Sequence, residues 1–204
     1  MYYQYNNYKN LKFVHFSKWQ GVWGTESPKV LHKEEIKMIK AIKTRRSIRK
    51  YKADKPVTKE QLNELIHAAM LAPSACNTRP WQFIAVTNRK KLDEIADIHQ
   101  WAQMCRTAAA AIIVTVTPQK EIAEGFYPQD CGAAVQNILL QAEDMGLAAC
   151  WCGIYPKPQM MAVFAEKFGV KEPVIPFCVI AVGVPDENPE SRGFFEESKI
   201  TYIE

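Results

Sequence analysis

Hydrophobic and polar residues alternate along the chain in blocks that predict helices and strands in turn. The stretch TKEQLNELIHAAMLAP predicts a helix, with Thr58 and Gln61 placed for a capping box and Pro73 at its end. Its apolar residues fall on one face: Leu62, Leu65, Ile66 and Ala69. QFIAVTN then predicts a strand, the charged residues 89–107 a helix, and the unbroken apolar run AAAAIIVTVT a central strand buried on both faces.

The second half of the chain continues this alternation. DCGAAVQNILLQAEDMG predicts a core helix with Gly146 as its C-cap, and AACWCGI and FCVIAVGVP predict two buried strands separated by the helix PQMMAVFAEKFG. Residues 34–44 predict a short helix, and the tail ITYI predicts an edge strand or a strand lent to a partner. This order of elements predicts a sheet wrapped by helices, of α/β or α+β class.

The composition is that of an ordinary globular protein. With 204 residues, of which 48% are hydrophobic and 24% charged, one domain is expected. The net charge of +4 comes from 26 Lys and Arg against 22 Asp and Glu, which gives no support to a nucleic-acid-binding function. We expect neither a secretory signal nor a membrane span, because no stretch approaches the roughly 20 apolar residues that a span requires.

Cysteine and histidine usage favours a reduced, metal-free protein in the cytoplasm. The six cysteines have spacings that match neither a zinc site nor a compact disulfide framework, and we interpret Cys150 and Cys152 as buried structural cysteines. The four histidines, His15, His32, His67 and His99, show no metal-ligand spacing. The chain also lacks the glycine-rich Rossmann and P-loop motifs and the G-x-S-x-G motif of hydrolases.

The first 37 residues differ from the rest of the chain. Tyr, Asn, Lys and Trp dominate them, apolar periodicity is weak, and GTESP at Gly24 to Pro28 has the composition of a turn or linker. We therefore divide the chain into an extension, residues 1–37, whose order the sequence does not define, and a domain, residues 38–204. A chain that begins at Met38 is expected to fold and bind its ligand.

The segment KTRRSIRKY, residues 43–51, places five cationic side chains and the Ser47 hydroxyl within nine residues. It is compatible with a solvated basic helix end, since cations are favoured near a helix C-terminus. It is also compatible with an anion site, because Arg45, Arg46 and Arg49, with Ser47 between them, offer several donors to one compact anion such as a phosphate.

Two further segments combine irregular backbone with polar groups. LAPSACNTRPWQF places Ser74, Asn77 and Arg79 in a loop between a helix and a buried strand, where a planar heterocycle could be recognised, although a plain connecting turn remains an alternative. In CWCGIYP the two cysteines are too close for a CxxC site, while Gly153 permits the backbone to approach a flat ligand.

Three segments in order, RRSIRKY, APSACNTRPWQF and DCGAAVQNILLQAEDMGLAACWCGIYP, resemble the nitroreductase family of FMN-dependent oxidoreductases. The resemblance runs from about Met38 to the C-terminus. It implies an α+β fold with a central mixed sheet flanked by helices. It also implies a homodimer that binds FMN at the subunit interface and uses NAD(P)H as the electron donor.

The resemblance also implies a set of cofactor-binding residues. Arg45, Arg46 and Ser47 are expected at the FMN phosphate and ribityl chain, and Arg49 near the flavin N1/O2 edge, where a cation stabilises the negative charge of reduced flavin. The loop and strand-end residues expected at the flavin ring are Pro73, Ser74, Asn77, Trp151, Cys152, Gly153 and Ile154. Arg192 is expected to be a late phosphate-binding cation. Arg79 departs from the glutamine frequent in the family, and Glu190 and Ser191 replace its second late basic residue.

The implied reaction is a ping-pong transfer of hydride from NAD(P)H through FMN to a nitroaromatic, a quinone or a similar acceptor. Because the cofactor performs the chemistry, no catalytic side chain is expected. Two alternatives stay open. One is a flavin-binding or basic-patch module without turnover, and the other is a dehalogenase or flavin-consuming relative on the same fold. The latter usually carry a lid, and no clear lid insert lies between Ile98 and Gly125.

Overall fold

Helices and strands alternate along the described residues much as the hydrophobic pattern predicts. The computed structural model describes residues 38–118, 122–190 and 193–204, so the predictions for residues 1–37 and for Arg192 lie outside the described residues. The elements are, in chain order, α1 Lys40–Thr44, α2 Lys59–Met70, β1 Trp81–Val86, α3 Arg89–Ile98, β2 Ala110–Val116, α4 Tyr127–Asp144, β3 Ala148–Gly153, α5 Pro158–Phe168 and β4 Ile175–Gly183.

The four strands form one sheet in the order β1-β2-β4-β3, and every neighbouring pair is antiparallel. The α+β class is thereby confirmed, and β2 is the buried central strand that its apolar run predicts. The sheet itself was expected to contain both parallel and antiparallel strands, but its four strands are all antiparallel. In the described ranges, parallel pairing is confined to an isolated bridge between Ser47 and Ala149.

The connections explain why alternating helices and strands still give antiparallel neighbours. Helix α3 leads away from the end of β1 by about 15 Å, at 1.5 Å per residue, and the segment between α3 and β2 leads back. Strand β2 therefore starts beside the end of β1, with Ala111 opposite Val86. Hydrophobic periodicity predicts the strand but carries no information on this return path.

Each face of the sheet is covered by a different pair of helices. Alternate residues of a strand point to opposite faces. On one face Ile112 and Val114 pack with α2 and α4, and on the other Ile113 packs with α3 and α5. The result is two buried hydrophobic layers with the sheet between them, so the ends and the open edge of the sheet remain available for a site.

Local predictions hold in α2 and fail at two other places. Thr58 and Gln61 form the expected capping box, with hydrogen bonds of 2.9 and 3.2 Å. The helix predicted over residues 89–107 ends at Ile98, because its last turn is a separate 3-10 turn, Gln103–Arg106. The tail residues 200–203 form no strand within this chain. None of the helices described is long and apolar enough to cross a membrane.

Candidate functional site

The basic segment Arg45–Arg49 lies along the open edge of β3. Ser47 forms its parallel bridge with Ala149, and the Ile48 N–H donates to the Ala149 carbonyl at 3.3 Å. Arg45 is the C-cap residue of α1, and from this residue onward the backbone is extended against the sheet. The guanidinium groups of the segment are thus held on a rigid support.

Tyr51 anchors this segment to the core. Its side chain is only 4% exposed, and its hydroxyl donates to the carbonyls of Ile48 and Ala181, at 2.8 and 3.2 Å. Burial raises the pKa of the Tyr51 phenol, so the hydroxyl stays protonated as a donor. The ring packs on Gly183, where a Cβ would stand 2.8 Å from the Tyr51 Cδ1 atom. Glycine at 183 therefore makes room for the anchor.

A first cleft, of about 920 Å³, opens beside the basic segment. The Arg46 side chain donates from Nη1 to the carbonyls of Lys43 and Arg45, at 3.2 and 2.6 Å. Its Nε is buried and has no hydrogen-bond partner among the described residues. The cleft is lined by Met38, Ile42, Lys43, Arg45, Arg46, Ser47, Arg49, Glu187, Pro189, Glu190, Gly193, Phe194 and Phe195.

Glu187, which also lines the first cleft, supports the same segment. Its Oε1 accepts the backbone N–H groups of Arg49 and Lys50, at 2.5 and 3.2 Å. The two N–H groups partly offset the negative charge of the carboxylate. Without them, this charge would repel an anion bound near the arginines. Glu187 therefore fixes the backbone of Arg49 rather than competing for its side chain.

A second cleft, of about 420 Å³, lies at the end of β3. Arg49 lines both clefts, so it stands at their junction. The wall of the second cleft is rich in aromatic and sulfur-containing side chains, and Trp101 is 68% exposed there. It is lined by Arg49, His99, Trp101, Cys150, Trp151, Cys152, Gly153, Tyr155 and Lys157.

The backbone of β3 presents hydrogen-bonding groups to this second cleft. Ile154 lies opposite Phe177 and donates its N–H to the Phe177 carbonyl at 3.1 Å. Hydrogen-bonded positions alternate along an antiparallel pair, so Gly153 and Trp151 turn their N–H and C=O groups away from β4. The Gly153 carbonyl meets His99 Nε2 at 3.0 Å on that open edge. The Gly153 N–H consequently faces the open edge as well.

Two cysteines of β3 lie side by side beneath the second cleft. Both are buried, as the sequence predicts, and the hydrogen bond from Cys152 together with Arg49 and Arg45 lowers the pKa of Cys150 to about 7. The same hydrogen bond and burial raise the pKa of Cys152, whose Sγ also donates to the Trp101 carbonyl at 3.2 Å.

The loop of Pro73, Ser74 and Asn77 is shaped by backbone of unusual conformation. Asn77 and Arg79 have φ values of 54° and 47°, in the left-handed region that non-glycine residues rarely adopt. The Ser74 hydroxyl accepts the Arg79 N–H at 2.9 Å, and the buried Asp130 accepts the Ala75 N–H at 2.9 Å. This loop lines neither of the two clefts of its own chain.

The structure brings together some of the expected site residues and separates others. The first cleft takes Arg45, Arg46 and Ser47, the second takes Trp151, Cys152 and Gly153, and Arg49 joins them. Ile154 does not face a cleft: its side chain is fully buried and its N–H is bonded to Phe177. The family resemblance implies that Ile154 lies at the flavin ring with the rest of this strand end, and that role stays a prediction.

Sequence reasoning missed Glu187, Trp101, Tyr155 and the role of His99. Of the four histidines, His67 is exposed, whereas His99 is 2% exposed and bonded to the end of β3. One signal was present, since His99 follows an amphipathic helix in an apolar context. The pairing with Gly153, 54 residues away, is a tertiary contact that a single sequence does not reveal.

Comparison with known proteins gives a consistent family assignment. The model of the nitroreductase family matches residues 42–104 and 99–184. A protein of Methanothermobacter thermautotrophicus, provisionally named NADH dehydrogenase/NAD(P)H nitroreductase, is 44% identical over 166 residues, covering 81% of this chain and 86% of the relative.

Solved structures agree with this result. The FMN-dependent nitroreductase of Clostridium difficile R20291 is 29% identical with a TM-score of 0.74, covering 82% of this chain and 99% of that protein. The NADPH:FMN oxidoreductase of Vibrio harveyi, solved with NAD+, is 26% identical with a TM-score of 0.69, covering 80% of this chain and 75% of that protein. The match of the family model over most of residues 42–184, together with these likenesses, shows that the chain belongs to the nitroreductase family.

Proposed function

We propose that this protein is an FMN-dependent oxidoreductase that takes a hydride from NAD(P)H and passes the electrons to a nitroaromatic, a quinone or a similar small acceptor. The observation that carries the proposal is the position of Arg49 at the junction of two clefts. One cleft offers arginines to an anion, and the other offers a backbone edge and aromatic walls to a flat ring. FMN has these two parts, and relatives named for FMN or NAD(P)H support the choice.

The first cleft suits the phosphate and ribityl chain of FMN. Arg46 Nε is a buried donor whose partner is missing from the described residues, and an oxygen of the ligand would satisfy it. Arg45 makes no ion pair with a carboxylate in the described ranges and adds a free charge. The exposed Ser47 adds a hydroxyl donor. Arg192 remains a proposed further cation.

The second cleft suits the flavin ring. FMN, when bound, supplies the two-electron chemistry, and the side chains here bind and orient it. Arg49 places a fixed positive charge where negative charge on the ring would be stabilised. The Gly153 N–H, on the open edge of β3, is our candidate for the backbone donor to N5, with Trp151 and Cys152 beside it. No general base or nucleophile is assigned.

The loop of Pro73, Ser74 and Asn77 is proposed to reach the ring of the partner subunit in a homodimer. It lies outside the clefts of its own chain, so only a second copy could bring it to a bound flavin. Exposed apolar side chains beside the first cleft support such an interface, since Phe194 and Phe195 are 77% and 78% exposed. Size-exclusion chromatography with light scattering is expected to show a dimer carrying one FMN per chain, and a monomer would contradict the proposal.

An anaerobic absorbance spectrum tests the proposed function. The purified protein, reconstituted with FMN, should show flavin bands that bleach on addition of NADH or NADPH and return on addition of a quinone. Bands that are present but never bleach would favour a flavin-binding module without turnover. A protein that stays colourless after FMN addition would rule out the proposal.

Replacing Gly153 with Ala should weaken FMN binding without unfolding the protein. A Cβ at this position meets the Tyr155 carbonyl oxygen at 3.8 Å, an ordinary contact, so the melting temperature of the FMN-free protein should not fall. In the cleft, however, the methyl group would separate the ring from the backbone, and FMN affinity should fall about tenfold, the equivalent of roughly 1.4 kcal/mol. Fluorescence titration with FMN measures this. Equal affinity in both proteins would show that no ligand approaches Gly153.

A further inference from the structure

His99 connects two segments that are distant in sequence. It follows α3, is 2% exposed, and its ring packs edge-on against Phe164 at 6.2 Å between centroids. Its Nδ1 accepts the Trp101 N–H at 3.2 Å. Because a backbone N–H can only donate, the proton of the neutral ring resides on Nε2, which donates to the Gly153 carbonyl at 3.0 Å.

The open edge of β3 is occupied at both ends. The carbonyl of Ala149 accepts from Ile48 of the basic segment, and the carbonyl of Gly153 accepts from His99. Between them, the backbone groups of Trp151 and the Gly153 N–H are turned towards the second cleft by the alternation of the ladder. These groups form the stretch of edge that a ligand can use.

The Gly153 backbone is held by the ladder with β4 on one side and by His99 on the other. A glycine has no Cβ to limit its backbone angles, and it lies at the last position of the strand. Together with the bond from the Ile154 N–H to Phe177, the His99 hydrogen bond fixes the peptide plane that follows Gly153, and this plane adjoins the one that carries the Gly153 N–H. A second contact, Cys152 Sγ to the Trp101 carbonyl at 3.2 Å, holds the same turn against β3.

We propose that His99 is a positioning residue of the flavin site, which holds the Gly153 backbone in the conformation that presents its N–H to the bound ring. This inference rests on the proposed function. His99 does not touch the ring or transfer a proton. It acts through the Gly153 carbonyl. Its Nε2 donates to that carbonyl, and the bond that its Nδ1 accepts from the Trp101 N–H holds the ring in the required orientation.

Two substitutions separate the contacts of His99. In His99→Gln the side-chain amide nitrogen can take the place of Nε2 and keep the donor to Gly153. In His99→Asn the shorter amide can take only the place of Nδ1, so it keeps the acceptor for Trp101 and loses the donor to Gly153. We expect FMN to bind His99→Gln within about threefold of wild type and His99→Asn about tenfold more weakly.

A spectroscopic measurement distinguishes positioning from general stability. FMN labelled with 15N at N5 reports the hydrogen bond at that atom, and its resonance should move in His99→Asn and remain near the wild-type position in His99→Gln. Melting temperatures of the FMN-free variants provide the stability control. If either variant fails to fold, amide hydrogen exchange of residues 150–155 in the folded variant, compared with wild type, decides whether the strand end depends on the donor.

The outcomes separate this inference from the function on which it rests. Wild-type protein that binds no FMN would overturn both. Wild-type protein that binds FMN, together with variants that share its affinity and its N5 resonance, would overturn the role of His99 alone. Equal losses of affinity in the two variants, in parallel with their melting temperatures and with an unchanged N5 resonance, would also overturn it, because a purely structural role predicts that result.

Discussion

Substitution of Arg45 by Ala is expected to weaken FMN binding by roughly 30-fold, which corresponds to about 2 kcal/mol for charge-assisted hydrogen bonds to a phosphate. Arg45 has no carboxylate partner within the described ranges and lines the first cleft. Its loss therefore removes a contact with the ligand and no ion pair of the fold. Isothermal titration of FMN into the apoprotein measures the affinity, and its salt dependence should also decrease.

Lys50 provides the matched control for Arg45. It is a cation of the same segment, its side chain is exposed, and it lines neither cleft. Its bond to Glu187 uses the backbone N–H, which Lys50→Ala retains. If the effect of Arg45 were only that of net charge, the two variants would lose equal affinity. Equal losses would therefore contradict a phosphate site at Arg45 and favour diffuse attraction to a basic surface.

Substitution of Gly183 by Ala is expected to lower the stability of the fold far more than substitution of Arg45 or Gly153. The added Cβ would lie 2.8 Å from Cδ1 and 3.0 Å from Cγ of Tyr51, inside the core. Tyr51 must move, which weakens its hydrogen bonds to Ile48 and Ala181. Overpacking and lost hydrogen bonds together should cost about 3 kcal/mol, and the melting temperature should fall by about 10 °C for a domain of this size.

Gly153→Ala and Gly183→Ala form a matched pair of glycine substitutions at the ends of paired strands. The first should affect FMN affinity and leave the melting temperature unchanged, whereas the second should lower the melting temperature. Gly183→Ala should also reduce FMN affinity, because Tyr51 fixes the segment that carries Arg49. Thermal unfolding and FMN titration of both proteins test this. A Gly183→Ala protein as stable as wild type would show that the Tyr51 ring can shift without cost.

The sequence predicted the elements that depend on local chemistry. The capping box of α2 needs only Thr58 and Gln61 three residues apart, and the burial of β2 follows from a run of apolar residues too long for one exposed face. Burial of the β3 cysteines was also predicted, and the structure confirms it. The prediction of an anion site at the basic segment also rests on local chemistry, because several guanidinium groups and a hydroxyl lie within a few residues.

The rest depends on contacts between distant parts of the chain. Strand direction could not be predicted because the return path after α3 is set by packing, and no residue there signals a turn back. The role of His99 depends on Gly153, and that of Glu187 depends on the backbone of Arg49. The orientation of Ile154 depends on the ladder with β4. In each case the missing information is which two distant residues are in contact, and the type of a residue does not reveal its partner.

The open edge of β3 has a consequence for solubility. An unpaired edge strand offers free N–H and C=O groups to any other extended chain, and proteins usually block such edges. Here Ser47 and Ile48 cover the beginning of the edge and His99 covers its end, leaving a gap at Trp151 that is too short for another strand to pair with. The residues that flank the proposed ligand site at this edge thus also protect the protein against edge-to-edge aggregation.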